Sequence, residues 1–222
     1  MSSPPGRAVL RELADLPYAA ALTAHSGKLE DGGDYDTVHF DRADFDDANA
    51  SGARFLECAF TGGSVTGGRL RRSRFLGCWL KDVRVTAADL AETQWADSTV
   101  RGGVLAGVQA FDTRLERTVF AGCKLDSVNF REARLTGVTF TDCLLRDVDF
   151  AGATMRRTVF TGCQLTRADF SRTTLDEVDL RGSELGLIVD ARPLRGAIIS
   201  SGQLAAIAPA LAEGLGIVVD DE

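Results

Sequence analysis

The sequence predicts a solenoid, a column in which one short repeat stacks on copies of itself. Every fifth residue from Phe40 to Leu185 is apolar, with no change of phase over thirty consecutive pentapeptides. The residue two before each of these centres is always small, never larger than valine. A period of five matches neither the helical spacing nor the alternation of a strand, and its persistence over 150 residues indicates a repeat protein.

The register gives every side chain in the repeat a direction. One large and one small side chain per pentapeptide can face the interior, while the other three face water. Eleven of the twelve phenylalanines occupy centres, which places almost all of them inside. No insertion interrupts the register, so no long loop is expected to project from the column.

Several pentapeptides resemble the consensus A(D/N)LXX of the pentapeptide-repeat family. The good local matches are Ala88–Leu90, Val128–Phe130, Val148–Phe150, Ala168–Phe170 and Val178–Leu180. The resemblance covers about two-thirds of the chain. It implies an all-β solenoid, a right-handed quadrilateral β-helix, in which four pentapeptides form one coil of twenty residues. At a strand separation of roughly 4.8 Å, the thirty repeats would make a column about 36 Å long.

A spacing of twenty places like residues above one another, as expected when each coil contacts only its neighbours. Two phenylalanine series form opposite stacks, namely Phe120, Phe140 and Phe160, and Phe130, Phe150 and Phe170. The cysteines also form two series, Cys58 and Cys78, and Cys123, Cys143 and Cys163. Because there is no CxxC pair and there are only two histidines, the cysteines are interpreted as small buried hydrophobes rather than as disulfide partners or metal ligands.

A few positions depart from the average repeat. Ala50 and Ala110 underfill their centres, and Trp95 is an oversized one. Trp79 and Phe111 fall at outward positions and are predicted to point to solvent on opposite faces. These departures are interpreted as local packing variation.

The segments on either side of the repeat region 36–185 are predicted to close its ends, because the terminal layers of a solenoid must be covered. Residues 1–35 are interpreted as an irregular N-terminal cap, in which Pro17 stops any helical turn over Val9–Leu16. Residues 186–222 are interpreted as a C-terminal cap with a short helix. This division gives three parts, 1–35, 36–185 and 186–222.

The C-terminal helix has recognisable start and stop signals. Ser200 with Gln203 three residues later forms a possible capping box, and Gly214 suits the stop. Pro209 is expected to kink the helix or divide it into two pieces. Ile217–Val219 is expected to form a short strand after the stop.

The tail is similar in general character to the helical tail of MfpA- and Qnr-type quinolone-resistance proteins, in which the tail joins two columns end to end. This resemblance implies a homodimer, although a small apolar helix also fits a plain cap. The candidate dimer contacts are Leu204, Ile207, Leu211, Leu215 and Ile217.

Nothing in the sequence points to catalysis or membrane insertion. No stretch approaches eighteen consecutive apolar residues and no signal-peptide pattern begins the chain, so a cytoplasmic location is expected. The sequence has no phosphate loop, dinucleotide motif, metal-ligand spacing or paired histidine and nucleophile. It therefore predicts a non-enzymatic protein without cofactor or metal.

Resemblance to the same resistance proteins implies one specific function, DNA mimicry. MfpA- and Qnr-type proteins resemble duplex DNA in width and negative potential, and bind DNA gyrase or topoisomerase IV. The present chain shares the column, the tail and a net charge of −7. The alternative is a structural or adaptor column with an unrelated partner. Candidate acidic contacts are Asp44, Asp46, Asp47, Asp89, Glu92, Asp112, Asp126, Asp147, Asp149 and Asp169.

Charge sorted by face gives mimicry little support. We name each face by its first centre. The Phe40, Phe45 and Ala50 faces carry 4, 6 and 6 acids against 4, 4 and 5 bases, and the Phe55 face carries 5 acids against 7 bases. Arg54, Arg74, Arg114 and Arg134 fall in one row of the Phe55 face. Such a row would repel a basic DNA-binding surface.

The arginines between Arg69 and Arg74 suggest a nucleic-acid contact as a further alternative. One basic patch on an acidic chain is more often part of a mixed surface, so binding to nucleic acid is not predicted.

Overall fold

The computed structural model describes residues 12–188 and 194–220, with the side chains of residues 187 and 188 excepted. The chain winds into a four-sided parallel β-solenoid of about eight turns, which confirms the predicted fold class. Within the repeat region, strands pair with residues twenty positions away, as Phe120 does with Phe140; the first and last strands of the Phe40 face pair at spacings of 15 and 19. Four pentapeptides therefore make one coil, as the family resemblance implies.

Three faces of the column are sheets, and the fourth is held by single bridges. The Phe40 face has ten strands: β1 Thr23–Ala24, β3 Val38–Asp41, β5 Ala59–Thr61, β8 Trp79–Lys81, β11 Thr99–Arg101, β14 Val119–Ala121, β17 Thr139–Thr141, β20 Val159–Thr161, β23 Val178–Asp179 and β25 Ala197–Ile198. The Phe55 face has eight: β2 Asp34–Asp36, β4 Arg54–Leu56, β7 Arg74–Leu76, β10 Gln94–Ala96, β13 Arg114–Glu116, β16 Arg134–Thr136, β19 Thr154–Arg156 and β22 Thr174–Asp176. The Phe45 face has seven: β6 Ser64–Thr66, β9 Arg84–Thr86, β12 Val104–Ala106, β15 Lys124–Asp126, β18 Leu144–Arg146, β21 Gln164–Asp169 and β24 Glu184–Ile188. On the Ala50 face, isolated bridges run from Asn49 to Asp169.

The corners of the square are made by left-handed residues. Every fifth residue from Thr37 to Gly182 has a positive φ, which makes thirty positions, and nineteen of these are not glycine. A left-handed conformation costs a non-glycine residue about 1–2 kcal/mol. Backbone hydrogen bonds to the next coil offset this strain, as where the Glu57 N–H donates to the Leu76 carbonyl at 2.8 Å.

The interior follows the predicted stacks. In the series Phe120, Phe140 and Phe160, successive ring centroids lie 4.9 and 4.7 Å apart and the rings are nearly parallel. The opposite series from Phe130 to Phe170 stacks at 5.4 and 5.1 Å. A third stack of Tyr35, Phe55, Phe75 and Trp95 fills the N-terminal half of the column.

Small residues at centres leave space inside. An apolar cavity of about 40 Å³ is bordered by Ala110, Trp95 and Leu115 among other core residues. Phe111, which follows Ala110, does not fill this space. It lies outside the column with the Arg71 guanidinium carbon 5.4 Å from its ring centroid.

The N-terminal segment does more than close the end of the column. His25 and Leu29 pack near the first coil, where the His25 ring lies 5.1 Å from that of Phe40. Residues 12–22, which we call the arm, instead run back along the outside of the Phe40 face. The arm contains two short 3-10 turns, Leu13–Asp15 and Ala19–Ala21. The expected turn over Val9–Leu16 lies partly outside the described residues.

The C-terminal helix α1, Ser201–Gly214, covers the last coil. Ser200 and Gln203 form the predicted capping box, and the Gln203 amide also donates to the carbonyls of Leu180 and Ser183, both at 2.7 Å. Ile207 is buried within its own chain. The Gln203 amide and the Ile207 side chain therefore both help to attach the helix to the column.

Two features expected of the tail, a divided helix and a short strand, are absent from the described residues. Pro209 does not divide the helix, which stays one continuous element. Ala205 and Pro209 are both exposed, so water can satisfy the carbonyl that loses its partner. Ile217–Val219 forms no strand. The left-handed residue that ends the helix is Gly216, with φ of 70°, whereas Gly214 is the last helical residue.

Candidate partner-binding surfaces

Most of the candidate acidic contacts are paired with arginines. Six of the ten, Asp89, Glu92, Asp112, Asp126, Asp147 and Asp149, form ion pairs. The partner usually lies about one coil away, because residues twenty apart are neighbours across the ladder. Paired carboxylates present little net charge to a partner. The faces are therefore a mosaic of ion pairs rather than a continuous negative stripe.

Acids outnumber bases strongly at the N-terminal end of the column. Residues 28–47 contain eight acids and two bases. Among the described residues, Asp44, Asp46 and Asp47 form no ion pair, and Asp44 accepts a hydrogen bond from the Ser64 hydroxyl at 2.8 Å. Asp169, the remaining candidate, accepts the backbone N–H of Ser171 at 2.7 Å. The strongest negative charge thus lies on the first coil and not along one face.

Three arginine–aspartate pairs between adjacent coils have the geometry of strong ion pairs. Arg117 donates to both carboxylate oxygens of Asp97, at 2.6 and 2.7 Å. This hydrogen bonding lowers the pKa of Asp97 below its ordinary value of 3.8. Arg146 lowers the pKa of Asp126 in the same way, and Arg167 that of Asp147.

These pairs predict that the column loses stability in acid. A carboxyl whose folded pKa is depressed stabilises the fold above its unfolded pKa, near 3.8, and this contribution is lost as the pH falls through the folded pKa. We expect the urea midpoint to be level above about pH 5 and to fall below pH 4. Arg167→Gln should flatten that fall, because Asp147 would then titrate at a similar pH in both states. A variant that follows the same curve as the parent would contradict this assignment.

The basic row on the Phe55 face exists as predicted. Arg54 pairs with Arg74 and Arg114 with Arg134 across adjacent strands, with Gln94 between the two pairs. Arg54 is bound to Asp34 at 2.8 Å, and Arg134 to Asp112 at 2.9 Å. Arg74 and Arg114 form no ion pair among the described residues.

The second basic cluster is largely neutralised. Arg71 and Arg72 both bind Glu92, and Arg71 also lies 3.8 Å from Asp89. Arg71 therefore contacts two carboxylates and the Phe111 ring on the Ala50 face. This arrangement is typical of a mixed surface, in agreement with the interpretation drawn from the sequence.

The candidate dimer residues divide into two groups. Leu204, Leu215 and Ile217 are exposed by 49, 67 and 56%, while Leu211 is half-buried. Ile207, with 4% exposure, faces its own column and is not available to a second chain. Val218 and Val219 extend the exposed apolar surface beyond the helix.

The prediction that Trp79 points to solvent is wrong. Trp79 stands at an outward position but is only 2% exposed, because the arm covers it. The Tyr18 hydroxyl donates to the Gly77 carbonyl at 2.7 Å, and Glu12 contacts Lys81 and Arg101. One signal for this cover was in the sequence: Trp79 is the bulkiest residue in an outward column that otherwise holds mainly alanine, threonine and valine on this face.

The described residues were also compared with what a disulfide, a metal site or a membrane span requires. All five cysteines are free and buried, and their thiols donate to backbone carbonyls, as Cys143 does to Phe120 at 3.4 Å. Within residues 12–188 and 194–220, no group of three or more histidine, cysteine or acidic side chains is placed to hold a metal ion. In the same residues, no helix has the length and apolar character needed to cross a membrane.

Two family models match the chain. The model described as "Pentapeptide repeat region" matches residues 113–188, and that described as "Pentapeptide repeats (8 copies)" matches residues 39–77. A comparison with curated proteins gives no match.

Among solved structures, the chain is similar to HetL, a pentapeptide repeat protein involved in heterocyst differentiation regulation from the cyanobacterium Nostoc sp. strain PCC 7120. The identity is 18% and the TM-score 0.46, with 79% of this chain and 93% of HetL covered. It is also similar to a trypsin-treated form of QnrB1, a plasmid-mediated fluoroquinolone resistance protein. There the identity is 22% and the TM-score 0.44, with 90% of this chain and 97% of QnrB1 covered. At these identities and TM-scores the likenesses carry no functional argument.

Proposed function

Because this chain belongs to the pentapeptide-repeat family, we propose that it is a non-enzymatic column that acts by binding another protein. The observation that carries the proposal is the fixed presentation of its outward side chains. Three of every five residues face outward from a backbone whose hydrogen bonds run from coil to coil. Such a surface suits recognition, since little conformational entropy is lost when a partner binds a rigid face.

The charge pattern favours the hypothesis that the chain is an adaptor whose partner is not a topoisomerase. The arginine–aspartate pairs leave the long faces nearly neutral, while Arg74 and Arg114 on the Phe55 face have no ion-pair partner within the described residues. A partner that recognises this mosaic would need complementary charges of both signs.

A type II topoisomerase, DNA gyrase or topoisomerase IV, is the second candidate partner. It is favoured by the acidic first coil and by the resemblance of the tail in sequence. In this version the negative end of the column, with Asp44, Asp46 and Asp47, would contact the basic DNA-binding surface of the enzyme.

A gyrase supercoiling assay, with and without a fluoroquinolone, tests the topoisomerase version. If this version is correct, the chain should inhibit supercoiling or protect against the drug. Asp44→Asn, Asp46→Asn and Asp47→Asn together should raise the concentration needed at least tenfold. The amides retain the shape of the carboxylates, and Asn tolerates the left-handed conformation at Asp47.

The matched control removes the same charge elsewhere, through Asp112→Asn, Asp126→Asn and Asp147→Asn. These acids are already paired with arginines, so we expect a much smaller change. An equal effect of both triple variants would rule out the first coil as the contact. Absence of inhibition, protection and binding to gyrase would leave the adaptor.

We further propose that the tail joins two chains into a homodimer. The exposed Leu204, Leu215 and Ile217 form an apolar surface at the C-terminal end of the column. Leu215→Glu with Ile217→Glu should halve the mass measured by light scattering, since charges would then be buried between the two copies. Glu213→Gln, an exposed change on the same helix, should leave the mass unchanged. A single-chain mass for the unaltered protein would refute the dimer.

A further inference from the structure

Among the described residues, the arm covers one part of the Phe40 face of the column. We call the covered strip, Gly77 to Lys81 with Thr99 and Arg101, the arm site. It lies on two adjacent strands, because Trp79 pairs with Thr99 and Lys81 with Arg101 in the ladder. The strip therefore places one large aromatic ring beside two cations that are one strand separation, roughly 4.8 Å, apart along the backbone.

Within the described residues, one hydrogen bond and two ion pairs join the arm to the column. The Tyr18 hydroxyl donates to the Gly77 carbonyl, and Glu12 forms ion pairs at 3.4 Å with Lys81 and at 2.6 Å with Arg101. The two 3-10 turns of the arm have no buried residue, although the Tyr18 ring between them is 8% exposed. The Glu12–Lys81 pair is exposed, and an exposed ion pair contributes little to stability, so this contact adds little to the attachment of the arm.

The arm also fits the strip incompletely. A depression of about 320 Å³ remains between Leu16 and Tyr18 on one side and Gly77, Trp79 and Thr99 on the other. Indole rings buried beside cations are common centres of protein interfaces. An aromatic residue at an outward repeat position has no packing role inside the column, so its burial depends on what lies over it.

We propose that the arm site binds a peptide segment of a partner protein that carries the chemistry of the arm. Such a peptide contains a carboxylate and, six residues later, a tyrosine. The carboxylate replaces Glu12 between Lys81 and Arg101, and the phenol replaces Tyr18 on the Gly77 carbonyl. The arm is then an intramolecular competitor. The apparent association constant for the partner equals the intrinsic constant multiplied by the fraction of chains whose arm is open.

The experiment uses the full chain with Trp95→Phe, so that Trp79 is the sole tryptophan. A phenylalanine at position 95 continues the stack of Phe55 and Phe75. In this background, Glu12→Gln with Tyr18→Ala weakens the arm. The probe is a synthetic peptide with the sequence of residues 12–22. We expect Trp79 emission to shift to the red in the arm variant and to return to the blue on adding peptide. Binding should be at least tenfold tighter than to the chain with an intact arm.

Three controls define the site. A peptide with Glu12→Lys should bind at least tenfold more weakly, and the native peptide should also bind more weakly to a receptor carrying Lys81→Gln and Arg101→Gln. Far-ultraviolet circular dichroism should remain that of the parent in every variant. Equal affinity of the peptide for the variant and the parent, or an unchanged Trp79 emission, would overturn the proposal. A mass that doubles with concentration and returns to one chain on peptide addition would assign the site to the arm of a second copy instead.

Discussion

Gly63→Ala is expected to destabilise the column by about 3–5 kcal/mol or to prevent its folding. Gly63 lies at the small inward position two before Val65 and has a φ of 78°. A Cβ there would stand 2.2 Å from the carbonyl oxygen of Ala43 and 2.8 Å from its nitrogen. Both atoms belong to the backbone of the preceding coil, so a methyl group would force two coils apart. The loss is measured as the change in urea midpoint at neutral pH.

Gly122→Ala is the matched control for this change. Gly122 also has a positive φ, 62°, but a Cβ there meets no atom within 4 Å. It occupies the corner position that non-glycine residues fill nineteen times in this chain. We expect a cost of about 1–2 kcal/mol, which is the left-handed strain alone. If the two substitutions cost the same, the contact with Ala43 does not determine the stability at Gly63.

Phe140→Ala is expected to cost about 3–5 kcal/mol. The Phe140 ring is fully buried and stacks on both neighbours, with centroids 4.9 Å from Phe120 and 4.7 Å from Phe160. Removing it opens a cavity in the middle of the column and ends two ring contacts at once. Because each coil contacts only its neighbours, the substitution should weaken mainly the interfaces of this coil with the coils above and below it.

Phe111→Ala tests whether the large effect comes from burial rather than from loss of any phenylalanine. Phe111 is the one phenylalanine outside the register, and it contacts the Arg71 guanidinium on the surface. We expect a loss of about 1 kcal/mol, the size of a partly exposed cation–π contact. A comparable loss for both variants would show that the inward register is not the main source of stability.

The inward-facing residues could be predicted from the sequence because every coil imposes the same packing requirement. Two side chains in every five must fit inside a square of fixed size. Phe120, Phe140 and Phe160 therefore recur at a spacing of twenty, and the spacing itself gave the stacking partners. The helix start at Ser200 was equally predictable, since a capping box is a local pattern of four residues.

The outward half was less predictable, since it depends on pairs that local patterns do not mark. The charge totals of the faces are nearly balanced, but they do not reveal that Asp147 binds Arg167 while Asp47 has no arginine partner among the described residues. Sorting by face also hid the concentration of acids on the first coil. The excess of acids in residues 28–47 becomes visible only when charges are summed along the column axis.

The sequence by itself determined the column, because burying two side chains per pentapeptide leaves a period that no other fold explains. Only the tertiary structure decided which surface is free. Glu12 reaches Arg101 across 89 positions, and the arm that it anchors buries Trp79. Such a contact has no period, because it depends on how far an irregular segment folds back along a surface that the repeat has already built.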